Sequence, residues 1–152
     1  RRLEDWRPVW QDLAAPHLRR AEQARLNGAT SAAIEAIHTA LTLLGLAYGG
    51  DGYYIYTPFS DQRAVLGVRR GLHEHLRALT NSRVQPLFII HRRGTTSGLL
   101  HLPAEGAGPF PAIVGLHPLA GNKDDFDTAL THFRDSGFAT CVIDLPAHGD
   151  AV

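Results

Sequence analysis

Residues 111–150 read PAIVGLHPLAGNKDDFDTALTHFRDSGFATCVIDLPAHGD, and their pattern decides the fold. PAIVGLHP is a short apolar run, KDDFDTALTHFRDSG carries helical spacing, and FATCVIDLPAHGD is a second apolar run, so the order is strand, helix, strand. Asn122 is placed to cap the helix. Asp124 and Asp125 sit where the positive end of the helix dipole favours acid, Phe126, Leu130 and Phe133 form an apolar face, and Gly137 is a C-terminal stop. Both flanking runs are almost continuously apolar, as in central strands covered on both faces, which predicts a right-handed parallel crossover.

Working outward toward the N-terminus, VQPLFIIHRRG and TTSGLLHLPA read as two strands joined around Arg93 and Gly94, a hairpin that opens the sheet. AEGAGPFP is a Gly/Pro-rich connection to the next strand. Residues 1–82 read instead as helices. Trp6, Val9, Trp10 and Leu13 recur at helical spacing up to Pro16, which is expected to break or bend the helix. A second helix, capped by Thr30 or Ser31, carries Ile34, Ile37, Leu41, Leu44 and Tyr48 in one stripe and ends at Gly49-Gly50-Asp51-Gly52. A third begins near Ser60 with Val65, Val68, Leu72, Leu76 and Leu79 inward, and Arg63, Arg69, Arg70, Glu74 and Arg77 on a solvated face. YYIYTPF, between them, reads as a loop packing on the helices, or as part of a ligand pocket. The expected division is a helical domain over 1–82 and an α/β domain over 83–152.

Composition narrows the function. Fifteen basic residues balance fifteen acidic ones with no block of like charge, so neither nucleic acid nor an anionic membrane surface is an expected partner. No apolar run reads as reaching the roughly 20 residues that span a bilayer, and RRLEDWRPVW lacks the apolar region of a secretory signal. The single cysteine, Cys141, forms no internal disulfide and fits a reducing compartment, with the cytoplasm the expected location. The chain contains no methionine and opens on Arg1, so its front end is expected to be incomplete. An end just past a central strand is likewise expected to be a truncation, because part of a parallel sheet would stay uncovered.

In open α/β sheets ligands collect beyond the carboxyl ends of the strands, which directs attention to 117–123 and 144–150. A loop entering a helix N-terminus leaves backbone N–H groups pointing outward, an arrangement suited to a developing negative oxygen. Pro118 has no N–H, so Leu119 and Ala120 are the expected donors. From GLLHLPAEG onward the chain resembles the opening of an α/β-hydrolase: paired early strands, a third strand ending in a His-Gly-type oxyanion loop, the first helix, and a fourth strand ending in a D-x-P-G-H-G-like turn. With a helical segment in front, it is most similar to the esterase-like and carbon–carbon bond hydrolases that carry an N-terminal helical cap, the 2,6-dihydroxypseudooxynicotine hydrolase-like group. Pro118 and Ala147 stand where that family often has glycine.

The resemblance implies that His117 buttresses the oxyanion loop with Gly121 supporting it, that His148 stabilises a turn, and that the catalytic serine follows in a G-x-S-x-G elbow, with acid and histidine later still. No serine of this chain meets that pattern: Ser31, Ser60, Ser82 and Ser136 lie in other contexts, and Ser97 in GTTSG has its glycines wrongly spaced. The triad is therefore expected to be absent here. Asp144 is expected to cap or hold a loop in preference to catalysis, Lys123 to be solvated in preference to attracting an anionic substrate, and Asp124 and Asp125 to answer the helix dipole in preference to forming a paired-carboxylate or partial metal site.

No metal site emerges. His73 and His75 fall on different helix faces, and His91 and His101, read as cross-strand neighbours, lack a third ligand. No cofactor is implied, since neither a phosphate loop nor a dinucleotide fingerprint occurs. The expected function is the N-terminal part of a serine hydrolase acting on an ester, amide or activated carbon–carbon bond, with a small-molecule substrate in the complete parent. The alternative is a noncatalytic binding or assembly module, whose last parallel strand is an open edge inviting a homodimer or a complementing C-terminal portion.

Overall fold

The computed structural model describes residues 5–49, 59–117 and 121–145. The chain divides into two compact units, residues 1–80 and 81–152. Tyr53, Tyr54, Tyr56, Pro118, Leu119, Ala120, Ala147 and His148, for which the sequence sets expectations, lie outside the described residues.

The first unit is three helices: α1 (Trp6–Leu26), α2 (Thr30–Gly49) and α3 (Phe59–Leu79). Its core gathers Ala14 and Ala21 of α1, Ala36, Ile37, Ala40, Leu41, Leu44 and Ala47 of α2, and Val65, Leu72 and Leu76 of α3. The α1 face differs from the expected one. Small alanines let α1 and α2 approach closely, so Ala14, Ala21 and Ala24 take the inner side while Leu13 stays exposed. Pro16 does not break α1. It lies on the exposed side of a continuous helix, where its missing N–H interrupts only the solvent-facing hydrogen bonding. The Trp6 indole closes the far end, donating to the Leu46 carbonyl at 2.8 Å.

Two further expectations about these helices are corrected. Arg69 is buried, with its guanidinium 5.5 Å above the Tyr48 ring, so the basic side of α3 is not wholly solvated, and Val68 of the apolar stripe is exposed. Helix α2 over Thr30–Tyr48 is, by length and composition, long and apolar enough to cross a membrane, contrary to the sequence reading. Its apolar stripe is the side that packs into the helical core.

The second unit is a mixed four-stranded sheet. β1 (Arg83–His91), β2 (Gly94–Leu102), β3 (Ala112–Leu116) and β4 (Ala139–Ile143) stand in the order β1-β2-β4-β3. The hairpin pairs Arg83 with Leu102 through His91 with Gly94, and Pro86 is accommodated because β1 is an outer strand. β2 and β4 are antiparallel, and β3 and β4 parallel, with Ala112 opposite Ala139 and Leu116 opposite Ile143. The parallel pair is as expected, but the coverage is not. β3 is the other outer strand, with Val114 and Leu116 67% and 58% exposed, whereas β4, placed inside, buries Val142 completely. The open parallel edge thus belongs to β3 and not to the last strand.

Gly98 explains how β2 meets β4. A Cβ there would stand 2.9 Å from the Val142 carbonyl oxygen and 3.0 Å from Ile143 Cγ2, so only glycine permits the pairing of Gly98 with Ile143. The crossover is not the single helix expected. A 3-10 turn (Lys123–Asp125) leads into α4 (Phe126–Ala129), and α5 (Thr131–Asp135) follows. Leu130 is buried at the joint, Phe126 is half-buried and Phe133 is partly exposed, so the apolar face turns away as the helix breaks. Gly137 ends it at φ +87°, a conformation that favours glycine.

Candidate functional site

The site lies at the carboxyl ends of β3 and β4, and its centre is Asp144, which is almost fully buried. One carboxylate oxygen, Oδ1, accepts the Lys123 backbone N–H at 2.8 Å. The other, Oδ2, accepts the Lys123 ammonium at 2.8 Å and the Ser97 hydroxyl at 3.1 Å. Ser97 is bonded twice, since its carbonyl also accepts the Asp144 N–H at 2.9 Å. The close β2–β4 approach at Gly98 brings this serine to the end of β4. A buried charge is tolerated only when paired and hydrogen-bonded, and Asp144 meets both conditions.

Lys123 corrects the expectation of a solvated lysine. Its side chain is only 6% exposed, held between Asp144 and, at 4.0 Å, a carboxylate oxygen of Asp124. The preceding residue sets it there. The Asn122 side chain accepts the Asp124 N–H at 2.9 Å while the Asp125 carboxylate accepts the Asn122 N–H at 2.9 Å, a reciprocal capping box. The two acidic residues therefore do more than answer a dipole: Asp125 closes the cap and Asp124 lies beside the lysine.

His117 follows directly on β3 and is buried. Its Nε2 accepts the Leu145 N–H at 3.0 Å. The same Nε2 is 3.8 Å from Asp144 Oδ1, beyond hydrogen-bond reach. Gly121 is buried at the other end of the same connection. His117 and Lys123 are thus tied to Leu145 and Asp144, with Leu119 and Ala120 between them outside the described residues.

The structure unites Ser97, His117, Lys123 and Asp144, of which the sequence reading gave His117 and Asp144 their loop-holding roles and missed Ser97 and Lys123 as their partners. The signal for Ser97 was the glycine after it, the mark of a close backbone approach. His91 and His101 do not meet: Val84 lies opposite His101, and His91 lies opposite Gly94. His101 instead accepts from Arg134 at 2.7 Å through Nδ1, which a guanidinium can only donate to. Among the described residues no group of three His, Cys, Asp or Glu side chains is placed to hold a metal ion.

Comparison with known proteins gives the fold its context. No protein-family model matches the chain. Over 63 residues it is 33% identical to the esterase FrsA of Pectobacterium atrosepticum, a match covering 41% of this chain and 15% of that protein. Among solved structures, the 2,6-dihydroxy-pseudo-oxynicotine hydrolase superposes with a TM-score of 0.71 at 22% identity, covering 95% of this chain and 39% of that one. AbyA5 superposes with a TM-score of 0.63 at 16% identity, covering 96% of this chain and 36% of that one. The chain therefore spans less than two fifths of the length of these solved structures and a still smaller part of the esterase. Helices followed by a β1-β2-β4-β3 mixed sheet, shared along nearly the whole of this chain, make its fold that of the N-terminal portion of an α/β-hydrolase with a helical segment ahead of the sheet.

Proposed function

We propose that the protein is a serine hydrolase acting on an ester, an amide or an activated carbon–carbon bond, with residues 1–152 contributing the helical cap and the oxyanion loop. The observation that carries this reading is the pinning of the β3–helix connection at His117 and at Lys123 to the end of β4, in a hydrolase fold. Such a connection, held rigid, can present the N–H groups of Leu119 and Ala120 to a developing oxyanion without reorganising during the reaction. The cap would roof the site and select the small-molecule substrate. No cofactor enters this scheme, and the nucleophile belongs to a later elbow. The free Cys141 thiol suits a reducing, cytoplasmic setting. A fluorophosphonate probe applied to the complete protein tests the proposal. Stoichiometric labelling of one serine outside residues 1–152 is the expected result, and a complete protein that resists the probe overturns it.

A second reading, a noncatalytic assembly module, draws support from the outer strands. Phe88 and Ile90 of β1 are 70% and 84% exposed, and Val114 and Leu116 of β3 are exposed as well. Apolar side chains on outer strands invite pairing with another chain. Light scattering of residues 1–152 separates the readings: a concentration-dependent dimer favours assembly, and a monomer that unfolds cooperatively counts against it.

A further inference from the structure

We propose that Lys123 and Asp144 form a charge clamp that positions the oxyanion loop, a role deepening the hydrolase reading and resting on it. Four observations lead there. The Asp144 carboxylate takes both the backbone N–H and the ammonium of Lys123, so a single residue is gripped at its main chain and at the tip of its side chain. The grip is buried, with the Lys123 side chain 6% exposed and that of Asp144 fully covered. It falls at the first residue of the 3-10 turn that receives the loop. The other end of the loop is held by the residue next to Asp144, through the Leu145 N–H and His117 Nε2. Both ends of the connection therefore report to one point at the end of β4, and a displacement of Lys123 moves one end relative to the other, at His117.

The electrostatics give the lysine a second task. Asp144 and Asp124 both stand close to its ammonium, at 2.8 and 4.0 Å. Without it, two buried carboxylates would stand together at this strand end, and the effect of a charge is strong where water is excluded. The ammonium cancels the nearer one. Lys123 is thus a positioning residue: it acts by fixing the first residue of the 3-10 turn against the end of β4 and by neutralising the nearer of two buried carboxylates.

The test uses the complete protein and three variants: Lys123→Arg, which keeps the charge, Lys123→Met, and the double variant Lys123→Met with Asp144→Asn, which removes both charges of the closer pair together. Hydrolysis of a p-nitrophenyl ester gives kcat and KM, and amide hydrogen exchange is followed in peptides covering residues 113–125. Removing one oxyanion donor elsewhere lowers kcat by about 100-fold to 1000-fold. For the double variant the expected result is a fall in kcat of about 100-fold with KM within about twofold, faster exchange in 113–125, and unchanged exchange in the α1–α3 peptides; Lys123→Arg restores part of kcat. A double variant with wild-type kcat and wild-type exchange in 113–125 overturns the clamp, as does a fall in kcat that merely tracks the fraction of unfolded protein. If the wild-type protein neither hydrolyses esters nor labels with fluorophosphonate, the hydrolase reading fails. The exchange data then decide the clamp by themselves, so the two failures are distinguishable.

Discussion

Asp144 concentrates more of this molecule's polar chemistry than any neighbouring side chain, because a carboxylate at the end of a buried strand has no water to satisfy it. Replacing it by alanine leaves the Lys123 ammonium buried without its nearer partner, a change that costs about 3–5 kcal/mol in comparable buried pairs. A urea titration of Asp144→Ala checks this through the fall in its midpoint. Asn122→Ala removes one half of the capping box and should cost about 1 kcal/mol, visible in the same titration. Burial pushes the Cys141 thiol up from its ordinary range. Since the folded state holds that proton more tightly than the unfolded one, the stabilisation is fully present below the ordinary thiol range. It is lost as pH rises through the raised value. Ellman's reagent should therefore react more slowly with the folded protein than with the urea-unfolded chain at the same alkaline pH, and equal rates would contradict the burial. At the surface, the Arg25 hydrogen bond at 2.7 Å holds Glu22 below the usual carboxylate range, in an exposed pair of little consequence for stability.

At the scale of elements, the close crossings are set by small residues. Gly98→Val would drive a side chain into the Val142 carbonyl and Ile143 at 2.9–3.0 Å, and neither the backbone nor a packed β-branched chain yields readily. Overpacking of this kind costs about 1–3 kcal/mol, and here it should also loosen the Ser97–Asp144 bonds, so the Gly98→Val protein should show a lower melting temperature together with faster exchange in 139–145. Pro16→Ala is the opposite case. The proline lies inside α1 without breaking it, and replacing it restores a helical N–H, so the melting temperature should rise, by the equivalent of up to about 3 kcal/mol.

The molecule as a whole is built of two units, each with its own reason to fold. Every member of the principal apolar cluster belongs to residues 14–76, so that unit buries its core with its own side chains. Expressed alone, residues 1–80 should give a helical circular dichroism spectrum and a cooperative thermal transition; a featureless, non-cooperative melt would show that the helices need the sheet. The sheet unit leaves Phe88, Ile90, Val114 and Leu116 on its outer strands, and the apolar area exposed there is the property that an assembly partner or further chain would cover.

Local pattern is what the sequence by itself determined. The three helices, the hairpin, the parallel strand pair, the Asn122 cap and the Gly137 stop each depend on residues close together in the chain, where periodicity and backbone preference act directly. The expectation that ligands collect at 117–123 and 144–150 has the same local origin, since both stretches follow strands read from the sequence. Only the tertiary structure decided which strand lies outside, because burial of β3 and β4 depends on neighbours that apolar runs of equal quality do not name. It alone turned Lys123 inward, as a lysine is written the same way whether water or a carboxylate 21 residues away receives its charge. It also separated His91 from His101, whose distance is a matter of hairpin register, and it joined Ser97 to Asp144 across 47 residues through the space that a missing Cβ at Gly98 leaves open.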